Sequence, residues 1–365
     1  MTNNGFCPGC STLYAHIAIV DTISRHLDSP DINSVVLLAF DLSKAFDRLP
    51  YDKLLQSLTE NKLPPDFICW CSHYYYERRQ KVILRGVSST EKATSSGVPQ
   101  GSIISPFLFA SFMGSLSSKS IDTKIFKYAD DFCLLIPSSK DSNINDSIHV
   151  EIKNIEDWCS IHGLVLNRDK TRLMVFGKSG CPLNLPTGLT VVSELKILGL
   201  TFQQNLKWDS HIDNVTKKAS QRIFLLKKLK RIPGVSKNDL LSVYKSYIAS
   251  ILEYNCPVFM NMTQKSIRKI ERVRKRCHYI ICDCGDYSNC RLLPSFIERA
   301  DKIALRTFSD ILKPNNFIYH LAPRRLPVSG HFEIPLSHSM RRSSTFFPYC
   351  TRLFNKMYFA SQTSD

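Results

Sequence analysis

Lys124-Ile125-Phe126-Lys127-Tyr128-Ala129-Asp130-Asp131-Phe132-Cys133-Leu134-Leu135-Ile136 decides how this chain folds. Two short segments rich in apolar, aromatic and β-branched residues flank a tetrad that carries adjacent carboxylates. That pattern predicts a β-hairpin with Asp130 and Asp131 at its tip. The tetrad alone has an ordinary alternative, because aspartates at turns commonly accept hydrogen bonds from nearby backbone donors. Upstream, Val35-Val36-Leu37-Leu38-Ala39-Phe40 reads as a fully buried strand ending at Asp41, in Asp41-Leu42-Ser43-Lys44-Ala45-Phe46-Asp47. A buried, unpaired charge is costly, so Asp41 reaches solvent, pairs with a cation or binds a metal. If this strand lies beside the hairpin, three carboxylates converge, and hard divalent ions with oxygen ligands relieve their repulsion. Two such ions can align an attacking hydroxyl and a leaving oxygen across a phosphorus atom.

Between these segments stands Ser96-Gly97-Val98-Pro99-Gln100-Gly101-Ser102-Ile103-Ile104-Ser105-Pro106-Phe107. With it in place, the chain resembles the reverse transcriptases of non-LTR, LINE-like retrotransposons (jockey- and CR1-like), in which a first aspartate, a Pro-Gln-Gly segment and a Tyr-Ala-Asp-Asp box follow in this order. Trp158 with Gly163-Leu164-Val165-Leu166-Asn167 and Lys170-Thr171 looks like the next motif. Leu198-Gly199-Leu200, Leu206-Lys207-Trp208 and His211-Ile212 look like the primer-grip region. Gly5-Phe6-Cys7-Pro8-Gly9-Cys10 is similar to the family's Gly-Phe box, which normally carries arginine where Cys7 and Cys10 stand; that departure implies weaker template contacts. The motif-level resemblance runs from residue 5 to residue 212.

The resemblance implies an α+β, right-hand polymerase with a mixed palm, partial fingers and a helical thumb. It implies a fingers remnant over 1–34, a palm over 35–202 with a fingers-side insertion near 51–96, and a basic helical thumb over 203–290. The tail over 291–365 has no clear role. By resemblance Asp41 and Asp130 hold magnesium, with manganese as a substitute, and Asp131 is more peripheral. Phe46 stands where the family places an aromatic steric gate beneath the sugar, although a plain core phenylalanine reads the same way. Gln100 sits near the nascent base pair with Gly101 permitting close backbone approach, and a structural turn is the alternative. Lys170 matches a proton donor to departing pyrophosphate; an exposed lysine is the bland reading. The implied partners are an RNA template, a DNA primer, deoxynucleoside triphosphates and, for mobilisation, an endonuclease supplied in trans. A viral RNA-dependent RNA polymerase would usually place an aspartate where Phe46 stands. The rival from another class is a truncated remnant that binds nucleic acid and catalyses nothing, since Met1 stands almost directly before the Gly-Phe box.

Charge separates the chain into halves. Of 48 Lys+Arg and 32 Asp+Glu, residues 1–202 carry 20 of each, leaving 28 basic and 12 acidic residues over 203–365 and the whole net charge of +16 in the second part. Such asymmetry suits a half that grips a polyanion, although a solvated basic surface or a membrane-facing patch is the ordinary alternative. Lys217, Lys218, Arg222, Lys227, Lys228, Lys230 and Arg231 fall among Ala219, Ile223, Leu226 and Leu229, whose spacing predicts a cationic amphipathic helix. Arg268, Lys269, Arg272, Arg274, Lys275 and Arg276 repeat the design. Leu198 and Gly199 join the first cluster as expected primer and template contacts.

Thirteen cysteines with no secretory signal point to reduced thiols. Cys277-His278 with Cys282, Cys284 and Cys290 departs from regular zinc spacings, so zinc is not expected. Apolar runs are too short to cross a membrane; the expected location is intracellular, nuclear or cytoplasmic. Helices are expected over 11–27, after Asp47 as far as Lys62-Leu63-Pro64-Pro65, from about Ser105, and up to Trp158. Pro137 to Ser147 reads as a loop, 190–202 as one or two strands, and Arg231-Ile232-Pro233-Gly234 as a break.

Overall fold

A computed structural model describes residues 5, 7, 9–140, 143–178, 183–283, 293–327 and 330–362. The chain divides into two compact units, Met1–Ser11 with Pro30–Val192, and Thr12–Ser29 with Ser193–Asp365. The helix Thr12–Asp28 (α1), expected on the fingers side, groups with the second unit.

In the first unit the strand Ile32–Phe40 (β1) is central. Its continuous apolar run is explained by burial of both faces, with Val35, Val36, Leu37 and Leu38 all at 1 % exposure or less. The hairpin expected from the opening stretch is Lys124–Tyr128 (β2) and Asp131–Ser139 (β3). Arg172–Gly177 (β4) pairs antiparallel with β1 on its other side, and Thr190–Val191 (β5) follows in parallel, giving the order β2-β3-β1-β4-β5. Helices Tyr51–Glu60 (α2), Pro65–Tyr75 (α3), Ser105–Phe112 (α4) and Ile144–Ile161 (α5) accompany this sheet. Val36, Leu38 and Phe40 of β1 share one core with Leu54, Leu58, Phe109, Phe112, Ile148 and Ile155.

The helix expected after Asp47 ends at Glu60, just before Lys62-Leu63-Pro64-Pro65, and Pro65 starts another, because proline is pre-organised for the first helical position. One expectation needs correction. The stretch read as a loop from Pro137 is strand as far as Ser139 and helix again from Ile144; Pro137 is opposite Val35 in the sheet. β2 pairs no further than Lys124 with Leu135, so β3 has one open side beyond it, where proline's missing donor is tolerated.

The second unit is mainly helical. Glu194–Ile197 (β6) and Leu200–Gln203 (β7) form a two-stranded ribbon whose turn residues, Leu198 and Gly199, both have positive φ, at 44° and 87°. The two basic segments are the helices Asp209–Lys230 (α6) and Gln264–Cys282 (α7), packed against each other. Phe296–Ile311 (α8) and Phe346–Gln362 (α9) follow. Trp208 and His211 of the expected primer grip are core residues, Trp208 donating to Asn261 Oδ1 at 2.9 Å and ringed by Phe202 and Phe259. Among the described residues no helix is long and apolar enough to cross a membrane.

Candidate active site and basic helices

The sheet brings the aspartates to one end of the first unit. Phe40 is opposite Phe132 in the register, the two rings stacked at 4.9 Å, so Asp41 leaves β1 beside Asp131. The hairpin closes through the two residues Ala129 and Asp130, with Ala129 at φ 56°. Gly5 explains part of the Gly-Phe box: a Cβ on it would stand 2.2 Å from the Ala129 nitrogen, so only glycine lets that backbone lie against the turn. Asp130 and Asp131 are exposed and Asp41 is partly so. The Asp131 carboxyl is pushed up by desolvation and then by the like charges of Asp130 and Asp41.

Lys127 is a residue the sequence reading passed over. It is 2 % exposed, and its ammonium donates to the carbonyls of Met113 at 2.8 Å, Gly114 at 3.2 Å and Leu116 at 2.9 Å. These lie just beyond the C-terminus of α4, so one buried cation ties that helix to the hairpin strand. Burial lowers its pKa to about 8. A lysine inside an otherwise buried strand was the available signal.

The Pro-Gln-Gly loop is knitted to the segment after Asp41. Val98 N donates to Phe46 O and Gly97 N to Leu49 O, each at 2.8 Å, and Gln100 Nε2 donates to Asp47 Oδ1 at 3.1 Å. Gly97, at φ 90°, is the position of close approach, since a Cβ would meet Asp47 O at 2.7 Å. Gly101 also has positive φ, at 88°, but a Cβ there would meet no protein atom within 4 Å. Phe46 is half-buried, stacked on Phe109 with centroids 4.1 Å apart.

Asn167 N donates to Asp41 O at 2.9 Å, and the Asn167 side chain caps the short turn Arg168–Lys170. That turn carries Lys170 Nζ to 3.6 Å from Asp41 Oδ2. Asp41, Asp130, Asp131 and Lys170 are thus neighbours, and Phe46, Asp47, Gln100 and Gly101 form an adjoining cluster. The donor set is hard oxygen at high negative charge density, which suits a divalent cation. Among the described residues, however, no three His, Cys, Asp or Glu side chains stand in metal-holding geometry, so the carboxylates share a field without forming a closed cage.

In the second unit Lys217, Lys218, Arg222, Lys227, Lys228 and Arg231 are exposed, whereas Lys230 pairs with Asp283. Arg222 donates to Tyr247 O at 3.0 Å and Lys228 lies over the Phe224 ring. Lys227 and, from α7, Arg268, Arg272, Lys275 and Arg276 line a groove of about 640 Å³. Leu198 and Gly199 occupy the ribbon turn, where Leu198 O accepts from the Tyr254 hydroxyl at 2.8 Å. Cys10, Cys69, Cys71, Cys133, Cys159, Cys256, Cys277 and Cys350 are free thiols. Cys277 is buried, with its pKa pushed up to about 12, and Cys284 and Cys290 lie outside the described residues.

Residues 4–202 match the family described as Reverse transcriptase (RNA-dependent DNA polymerase). The chain belongs to this family. It is similar to the polymerases of LINE-like mobile elements, and its structure is mixed helix and sheet. It is 26 % identical over 297 residues to the probable RNA-directed DNA polymerase from transposon BS of Drosophila melanogaster, covering 78 % of this chain and 32 % of that protein. To the RNA-directed DNA polymerase from mobile element jockey of the same organism it is 25 % identical over 251 residues, 63 % of this chain and 26 % of the relative. The chain therefore spans a third or less of the length of these relatives. A solved telomerase from Candida tropicalis, in complex with a fragment of telomeric RNA, covers 85 % of this chain and 52 % of its own at 16 % identity, with a TM-score of 0.44. Reverse transcriptases use divalent metal ions.

Proposed function

We propose that this chain is an RNA-directed DNA polymerase of a retrotransposon, extending a DNA primer along an RNA template. The observation that carries the reading is the convergence of Asp41 with the Asp130-Asp131 turn beside the knitted Phe46 and Gln100 segments. In the reaction the primer 3′-oxygen bonds to the α-phosphorus of a deoxynucleoside triphosphate as the bond to the β-phosphate bridging oxygen breaks. Pyrophosphate leaves and the hydroxyl proton passes to solvent. Asp41 and Asp130 would hold magnesium, or manganese in its place, with Asp131 at the margin. The bound ions would neutralise phosphate charge and activate the hydroxyl.

The remaining work belongs to the protein's own groups, as positioning and charge neutralisation. Asn167 fixes the Asp41 backbone, and the Lys170 ammonium lies close enough to balance that carboxylate and would protonate departing pyrophosphate. Phe46, held by Phe109, would set its ring against a ribose 2′-hydroxyl. Gln100, oriented by Asp47, would face the nascent base pair. We assign the five-stranded sheet and its helices to the palm, and α6 and α7 to a thumb that grips duplex phosphates without regard to sequence.

Primer extension on an RNA template with a DNA primer, in magnesium and then manganese, tests this reading. Deoxynucleotide addition that Asp130→Ala/Asp131→Ala lacks is the expected result. No addition by the unaltered chain, with salt-sensitive duplex binding retained, would reduce it to a nucleic-acid-binding protein without catalysis.

A further inference from the structure

Helix α3 carries an aromatic stripe that the proposed chemistry does not use. Phe67, Trp70 and Tyr74 recur at spacings of three and four, which places them on one face. Trp70 and Tyr74 are stacked at 5.2 Å and 14°, Phe67 and Trp70 at 6.2 Å and 20°, and Phe107 from α4 meets Phe67 edge-on at 5.9 Å. Phe67 and Tyr74 pack on the edge of the core and are half-buried, whereas Trp70 is 49 % exposed and the neighbouring Phe107 47 %. At the far end the Arg78 guanidinium lies 5.2 Å from the Tyr74 ring centre. Ser102, two residues from Gln100, lies close enough to help lower the Tyr74 pKa, so the stripe borders the loop of the proposed nucleotide site.

An exposed apolar row of this kind marks a binding surface. Its chemistry selects the occupant. A protein helix would be matched by an apolar groove, whereas a row of near-parallel, part-exposed rings ending in a cation over a ring matches nucleobases that extend the stack and their phosphates. Arg78 and Arg79, next along the chain, supply positive charge where a backbone would continue. We propose that Phe67, Trp70 and Tyr74, with Arg78, stack the unpaired bases of a single-stranded RNA template before it reaches the Pro-Gln-Gly loop. The identity of the strand rests on the polymerase reading; the stacking does not.

The first arm of the test needs no activity. Trp70 is the exposed tryptophan, Trp158 being half-buried and Trp208 fully buried, so its emission reports on the stripe. Titrating the full chain with oligouridine is expected to quench it, and a blunt duplex is not. Trp70→Ala and Tyr74→Ala should each weaken oligouridine binding roughly five- to a hundredfold, the equivalent of one lost base stack, while Trp70→Phe should lose the signal and keep the affinity. The second arm is primer extension on templates with a single-nucleotide 5′ overhang or one of about ten nucleotides. Trp70→Ala should raise KM for the long overhang alone. Quenching without any extension would reject the polymerase reading and leave the stacking surface standing. Extension by the unaltered chain with no quenching, or equal oligouridine affinity in Trp70→Ala, would overturn the stacking surface alone. So would self-association abolished by Trp70→Ala, which would assign the stripe to a second copy of the chain.

Discussion

Gly97 and Gly101 share a backbone conformation and differ in surroundings, which makes them a matched pair of perturbations. Both have φ near +90°, a region where an L-residue is strained by about 1–2 kcal/mol. In both, replacing glycine by alanine also reduces unfolded-state entropy and returns about 0.4–1 kcal/mol. Gly101→Ala should therefore cost about 1 kcal/mol, since its Cβ would meet no protein atom within 4 Å. At Gly97 the new Cβ would sit 2.7 Å from Asp47 O and 3.0 Å from Asp47 C. Neither atom is the end of a flexible side chain, so backbone must move, which adds about 1–3 kcal/mol, the usual cost of overpacking. The segment that must yield carries Phe46 and Asp47, tied to this loop by Val98 N and Gln100 Nε2. Gly97→Ala is thus expected to lose about 2–4 kcal/mol of stability and to disturb synthesis beyond that loss. Urea unfolding of the full chain, followed by primer extension well below the unfolding range, measures both. Equal costs for the two substitutions, within about 0.5 kcal/mol, would refute the close approach as the reason for Gly97.

Phe46→Val should raise ribonucleotide incorporation with little effect on deoxynucleotide addition, measured as the ratio of the two kcat/KM values; an unchanged ratio would leave Phe46 as a plain packing residue. His16 and His211 fold as neutral imidazoles, burial lowering each pKa to about 4. The unfolded chain protonates them near 6.5, so their contribution is intact above that pH and falls as pH drops to about 4, by up to about 3 kcal/mol each. The acid limb of an unfolding-versus-pH curve should lose part of its slope in His16→Gln. Arg342 and Asp21 form an ion pair with side chains 4 % and 2 % exposed, and Arg25 reaches the other Asp21 oxygen at 2.7 Å. Arg342→Met leaves a buried carboxylate with one half-exposed partner, so a loss of about 3 kcal/mol is expected by denaturation; a loss under about 1 kcal/mol would mean that Arg25 suffices.

Much of the first unit is legible in the sequence because its constraints are local and redundant. A continuous apolar run such as Val35 to Phe40 has few stable homes other than a central strand, and the Tyr-Ala-Asp-Asp turn follows from the segments around it. What escaped depends on contacts across sequence. Gly97 and Gly101 look equivalent in Gly-Val-Pro-Gln-Gly, and only the position of Asp47 separates their roles. Lys127 looks like one more charge in Lys-Ile-Phe-Lys until three carbonyls beyond α4 are found around it. The convergence of the carboxylates was predictable from strand order, but their side-chain placement, which stops short of a metal cage, was not.

Helix α1 makes the same point about partners. Its periodicity predicts a buried face and says nothing of what covers it. His16 bonds Ile197 O at 2.9 Å and the Asn255 side chain at 2.8 Å, Thr12 Oγ1 lies 3.1 Å from the Tyr254 hydroxyl, Asp21 pairs with Arg342, and Asp28 accepts from His338 N at 2.8 Å. Every one of these partners lies more than a hundred and eighty residues downstream. Tyr254 and Ile197 flank the Leu198-Gly199 turn, so α1 helps fix the ribbon at which the primer is expected. Its buried polar groups carry the specificity: a purely apolar face would accept many neighbours, whereas a neutral histidine and a paired aspartate tolerate only a site that satisfies them. A segment at the start of the chain is in this way a structural part of its C-terminal unit.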